Sequence, residues 1–186
     1  MNPEPRVPDP ESRKCEIVHA DTAAHVEAVR VLFLEYAKSL GFNLCFQGFD
    51  QELAELLGAY SRPHGRLLLA RLDEANVGCV AVHRLSRDLC EMKRLYVKPV
   101  SRGRGLGRAL AEAAIREASA AGYHAMRLDT VEPLMPAAVA LYRALGFREI
   151  APYRSNPIPG ALYMELIIAA DRPLAGKRVD RKRLRP

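Results

Sequence analysis

The chain has no apolar run approaching 18 residues, so nothing in it predicts a membrane-spanning helix. Its first residues lack the basic-then-apolar order of a secretory leader, and the expected location is cytoplasmic. Cys15, Cys45, Cys79 and Cys90 show no C-x-x-C spacing, which argues against a zinc ribbon and leaves reduced, mostly core thiols. The histidines form no H-E-x-x-H, so no metal site is expected. Two phosphate-binding fingerprints are missing as well. The dinucleotide pattern G-x-G-x-x-G fails because Arg108 stands three residues after Gly105, and the Gly-Lys-Ser/Thr of a P-loop is absent.

What is present begins with charge. The net charge is +6, but residues 171–186 hold seven Lys or Arg against Asp171 and Asp180 and carry +5 of it. The high pI therefore belongs to the tail. Its expected state is a solvated, disordered end, with a weak electrostatic hold on RNA or acidic partners as the alternative. Residues 1–13, rich in proline and mixed charge, read as a flexible leader. Between them, residues 14–170 suit one domain with a full core, since 49% of the chain is hydrophobic.

Within that domain, Cys15 to Ala20 predicts a strand. Asp21 or Thr22 can cap a helix running to about Leu40, where Gly41 ends it. Phe42 to Phe49 reads as a loop rich in aromatics and Asp50 to Ala59 as a short helix. Gly65 to Leu72 and Val77 to Leu85 predict strands joined by the turn Asp73-Glu74-Ala75-Asn76. Residues 89–97 predict a strand stopping at Pro99, which has no backbone donor. Apolar residues at 106, 110 and 113 then mark a helix of about 3.6-residue period. His124 to Thr130 predicts a strand, Pro136 to Leu145 a helix, Phe147 to Ile150 a short strand, and Ala161 to Ile168 a final strand after a proline-rich crossing. The order implies an α/β (α+β) domain with a mixed sheet and helices on both faces.

The densest signal is Arg102-Gly103-Arg104-Gly105-Leu106-Gly107-Arg108 between the predicted strand 89–97 and the helix from Leu106. Glycines at 103, 105 and 107 can turn successive N–H groups toward one point, at the start of a helix whose dipole favours anions. Three arginines add charge. The expected ligand is a phosphate or pyrophosphate.

Arg102-x-x-Gly105-x-Gly107 resembles the acetyl-coenzyme A signature of the GNAT superfamily of N-acetyltransferases. Leu141-Tyr142-Arg143-Ala144-Leu145-Gly146-Phe147 resembles that family's helix-ending L-Y-x-x-x-G-F. The resemblance covers roughly residues 15–169 and is most specific from 91 to 147. It implies a single GNAT-like domain with a mostly antiparallel sheet of six or seven strands, acetyl-CoA as co-substrate and no metal. It also implies that strands around 90–98 and 124–130 splay, with the pantetheine arm between them. Leu95, Tyr96, Val97, Met135 and Ala138 would border that arm, and Arg102, Gly103, Arg104, Gly105, Leu106, Gly107 and Arg108 the phosphates. Met135 stands where many members carry Asn, a departure that removes one polar contact.

Acetyl transfer to a primary amine needs a base, because an amine of pKa near 10 is mostly protonated at neutral pH. Glu91 lies eleven residues before Arg102, where histone-modifying members of the family carry their glutamate base, and the resemblance makes it the expected base. Tyr142 is the expected acid for the leaving thiolate. The resemblance places the acceptor pocket at Phe42 to Phe49, including Phe46, and at the crossing that holds Tyr153, Arg154 and Asn156. Arg94 and Arg154 are candidates to hold an acceptor carboxylate. Three readings stay open: a small-molecule N-acetyltransferase, a protein or peptide N-acetyltransferase docking through the tail, and a non-catalytic acetyl-CoA sensor. The family's exposed final strands also make a homodimer an expectation.

Overall fold

The computed structural model describes residues 15–168; the expected leader and tail lie outside the described residues. Strand β1, Cys15–His19, leads to helix α1, Ala23–Ser39, which starts where the His25 amide donates to Thr22 Oγ1 at 3.2 Å. That cap satisfies one of the orphan amides of the first turn. The stretch expected as one helix is two, α2 (Phe49–Ala54) and α3 (Leu56–Tyr60), broken at Glu55. Each half is held by its own tertiary contacts, Glu52 of α2 to Arg94 and Leu56 of α3 within the core. A single turn of 3-10 helix, Cys45–Gln47, shapes the loop before them.

Strands β2 (Arg66–Leu72), β3 (Ala75–Arg84) and β4 (Leu89–Val97) form a meander, with Asp73 and Glu74 alone in the first turn. Helix α4, Leu106–Ala120, precedes β5, Ala125–Val131. Helix α5, Pro136–Ala144, precedes β6 (Arg148–Glu149) and β7 (Ala161–Ile167). The seven strands run β1-β2-β3-β4-β5-β7-β6, and every neighbouring pair is antiparallel except β4 with β5.

Strand alternation builds two cores. Leu67 and Leu69 of β2 and Cys79 and Ala81 of β3 pack under α1 and α3. Leu68, Ala70, Val80 and Val82 pack under α4 and α5. On β4 the alternation changes sides. Cys90 and Met92 face α4, yet Tyr96, of the same parity, is in the α1-side core. A bulge causes this: Cys79 pairs with Tyr96 and Ala81 with Lys93, so Arg94 and Leu95 together oppose Val80. Arg94 takes φ +56 to make the extra step. A bulge of this kind bends the strand and re-aims its side chains.

Candidate functional site

The parallel strands β4 and β5 pair only at Leu89↔Ala125, Cys90↔Met126 and Glu91↔Arg127. Beyond Glu91 they separate, and the edge of β4 from Met92 to Val97 has no strand partner on that side among the described residues. Met135, Ala138 and Tyr142 of the α5 region come to the opposite wall of the fork. The splay that the sequence implies for this pair is thus present, and the bulge at Arg94 shapes its β4 wall.

At the outer end of the fork, Arg102 Nε donates to the Val97 carbonyl at 3.0 Å. The amides of Gly103 to Arg108 make no hydrogen bond among the described residues; the first intrahelical bond of α4 runs from the Ala109 amide to the Gly105 carbonyl. No side chain caps this helix. Gly103 and Gly105 take φ +78 and +75, which an L side chain resists, whereas Gly107 sits at ordinary helical φ inside α4. Gly107, expected to turn the backbone, instead has helical geometry, and a Cβ there would make only ordinary contacts with Leu141 and Val97. Uncapped amides at a helix start attract an anion, so these residues fit the phosphates of a coenzyme A ligand.

At the root of the fork lies a cavity of about 60 Å³. One end is apolar, formed by Leu95, Val131, Met135 and Ala138 with Tyr142. The other is polar, formed by Lys93, Asp129, Arg154, Asn156 and Gln47. Tyr142 packs on Phe147 with 5.7 Å between ring centroids, and burial pushes its phenol pKa above the usual range. Met135 accepts a weak hydrogen bond from Thr130 Oγ1 at 3.8 Å, so the sulfur serves the chain where an Asn amide was anticipated.

The polar end is a connected network. Asp129 accepts from Arg154, from Asn156 Nδ2 at 2.8 Å and from Gln47 Nε2 at 3.4 Å. Arg154 also bonds Glu91, with Nη1 at 3.2 Å from Oε2 and Nη2 at 2.9 Å from Oε1. Tyr153 donates to Glu91 Oε1 at 2.5 Å, and its phenol pKa is driven up by burial and by the Glu91 charge. On the other side, Arg94 donates to both oxygens of Glu52, Nε at 3.0 Å and Nη2 at 2.6 Å, and to Gln47 Oε1 at 2.8 Å. Tyr60 also donates to Glu52. Burial works to raise the Glu52 pKa, but the Arg94 hydrogen bond and the Arg94 and Lys93 charges outweigh it, holding this carboxyl below its usual range.

Several expected site residues are therefore placed elsewhere. Glu91 is 1% exposed, is bonded by Tyr153 and Arg154 at its two oxygens, and is not among the residues that line the cavity. Its strand parity points it under the 150s crossing, where Tyr153 and Arg154 cover it. Arg94 lines the cavity, but its carboxylate-binding edge is taken by Glu52. Tyr153 faces Glu91 rather than the cavity. Phe46 lies in the 3-10 turn, and its side chain is outside the described residues. Asn156 does line the cavity. The residues missed were Asp129, Lys93, Gln47 and Glu52. Asp129 and Lys93 carried only the weak signal of a charged residue on a strand, which Glu91, Arg94 and Arg127 share.

A mixed sheet split between two parallel strands, with an uncapped glycine-arginine helix start beside the split, defines an acyl-group transferase of the N-acetyltransferase fold class. The chain belongs to the acetyltransferase (GNAT) family, whose sequence profile matches residues 27–147. An uncharacterized N-acetyltransferase of Schizosaccharomyces pombe is 45% identical over 139 residues, covering 74% of this chain and 85% of that protein. An acetyltransferase structure from Streptococcus agalactiae superposes with a TM-score of 0.69 at 21% identity, covering 82% of this chain and 98% of that one. A Salmonella typhimurium structure holding its cofactor acetyl-CoA superposes with a TM-score of 0.60 at 21% identity, over 85% and 98% of the two chains. The chain is an acetyl-CoA-dependent acyltransferase.

Proposed function

We propose that this enzyme acetylates the primary amine of a small molecule by direct attack, with both substrates bound together. The carrying observation is the cavity in the fork, whose lining brings Tyr142 and the Asp129 carboxylate to one space. Its volume of about 60 Å³ is room for about two waters, which favours a small acceptor group at this point over a bulky one.

Acetyl-CoA supplies an acetyl group activated as a thioester. The unpartnered amides of Gly103 to Arg108, with the Arg102, Arg104 and Arg108 side chains, hold its phosphates, and the open β4 edge at Leu95, Tyr96 and Val97 offers backbone groups to its pantetheine arm. Met135 and Ala138 provide the apolar wall. Asp129 orients the neutral amine and takes its proton as the N–C bond forms, held in place by Arg154, Asn156 and Gln47. Tyr142, kept protonated by burial, donates a hydrogen bond to the departing thiolate. Glu91 is a positioning residue that fixes Arg154. This reading moves the base from Glu91 to Asp129, because Asp129 is the carboxylate that lines the cavity. A cytoplasmic setting accords with free thiols at all four cysteines.

The test is coenzyme A release from acetyl-CoA across amino acids, polyamines, aminoglycosides and peptides. Asp129→Asn should lower kcat about 10²-fold. Wild-type kcat in that variant removes Asp129 from the chemistry. Acetyl-CoA binding with no turnover of any small amine moves the reading to a macromolecular acceptor or a sensor.

A further inference from the structure

The cavity wall has a surplus of one kind of group. Each nitrogen of Arg94 already donates to Glu52 or Gln47, and Asp129 accepts from three partners. Lys93 differs. Its side chain is 12% exposed and lines the cavity, yet its ammonium makes no hydrogen bond among the described residues; its one ionic contact is Glu52 Oε2 at 3.5 Å. An ammonium carries three donors, so one carboxylate contact at 3.5 Å leaves most of its capacity for a ligand's oxygens. Among the described residues, the buried side-chain nitrogen of this region that has no hydrogen-bond partner is Arg154 Nε, also a donor. The pocket therefore has a cation with donors to spare beside Asp129, which accepts from three partners and, as a carboxylate, has room for about one donor more.

The charges give the rest of the ligand's description. Lys93, Arg94 and Arg154 are set against Glu52, Glu91 and Asp129, three of each sign. An acceptor bringing one or two uncompensated positive charges, such as a polyamine, would unbalance a buried and already neutral set. A ligand with one amine and one carboxylate keeps the balance and supplies the acceptor atoms that Lys93 lacks.

We infer that the acceptor is a small zwitterionic amino acid whose carboxylate is bound by Lys93 while its amine faces Asp129. Lys93 is thus a specificity-determining residue, and the inference rests on the small-molecule reading above. Only the neutral amine form attacks, so the carboxylate anchor also sets the nitrogen's approach to the reacting carbon.

The experiment compares matched acceptors that differ only by the carboxylate: alanine with ethylamine, leucine with 3-methylbutylamine, phenylalanine with phenethylamine. The amino acid of at least one pair should be favoured in kcat/KM roughly 10- to 150-fold, the range expected of hydrogen bonds to a charged group. In Lys93→Met the ratio within that pair should fall to about one through a rise in the amino acid's KM, and Lys93→Arg should restore part of it. This comparison within wild type does not depend on any variant folding. Equal kcat/KM within every pair overturns the carboxylate assignment and leaves the small-molecule reading standing. A Lys93→Met loss falling on kcat for both members of a pair also overturns it and places Lys93 at the reacting oxygen. No turnover of any acceptor, with acetyl-CoA binding intact, overturns both readings.

Discussion

The two ends of the fork are built on different principles. The cofactor end uses backbone: open amides from Gly103 to Arg108, an unpaired strand edge, and two glycines at positive φ, all within one stretch of chain. The acceptor end uses side chains gathered from the loop at Gln47, helix α2 at Glu52, strands β4 and β5, and the crossing at Arg154 and Asn156. A backbone site tolerates side-chain change but depends on local conformation. A side-chain network tolerates backbone variation but fails when one charge loses its partner.

The strongest way to break the comparison is at Glu52. Glu52→Ala leaves Arg94 buried without its counter-ion and should cost about 3–5 kcal/mol of stability. Thermal unfolding measures the loss, and calorimetry should find acetyl-CoA affinity within about twofold of wild type; a tenfold fall would show that the two ends are not separable. The same residue has a pH signature. Its folded pKa lies below its unfolded value near 4.5, so its stabilisation is fully present above that value and is lost as pH falls through the folded pKa. Unfolding free energy followed from pH 7 to about 3 should converge for wild type and Glu52→Gln at the acid end. Parallel curves would remove Glu52 from the ledger of acid sensitivity.

Next in size is the test of Glu91 against Asp129. Glu91→Gln, with Arg154 still held by Asp129, should keep the shape of the kcat–pH profile even where the rate drops about tenfold. Loss of the acidic limb in that variant, and not in Asp129→Asn, would restore Glu91 as the base. At the cofactor end, Gly105→Val meets open space but must adopt φ +75, at about 1–2 kcal/mol. Acetyl-CoA Kd should rise about tenfold, and Gly105→Asn, which accepts left-handed geometry more readily, should rise less. The smallest effect is expected from Tyr142→Phe, a kcat loss of about threefold at unchanged KM, since a thiolate leaves with little help. An unchanged kcat leaves that tyrosine a packing residue.

The element order, helix starts at Thr22 and Leu106, and the anion cradle could be read from sequence because caps, glycines and apolar periods act over a few residues. The break of the second helix at Glu55 could not, since it answers to separate tertiary contacts. Nor could the face change on β4. Alternation places Arg94 on the α4 side with Cys90 and Met92, and only the pairing of β3 with β4 reveals the bulge that re-aims it.

By itself, then, the sequence determined a strand, a glycine-arginine turn and an uncapped helix start, the local ingredients of the proposed anion site, because backbone amides and the helix dipole are local properties. Tertiary structure alone decided which charges meet. Glu91 and Arg154 are far apart in sequence, as are Arg94 and Glu52, and a carboxylate's role depends on whether its neighbours leave an oxygen open to the cavity. That is a matter of which segments the sheet and its loops bring within hydrogen-bond distance, and no spacing along the chain encodes it.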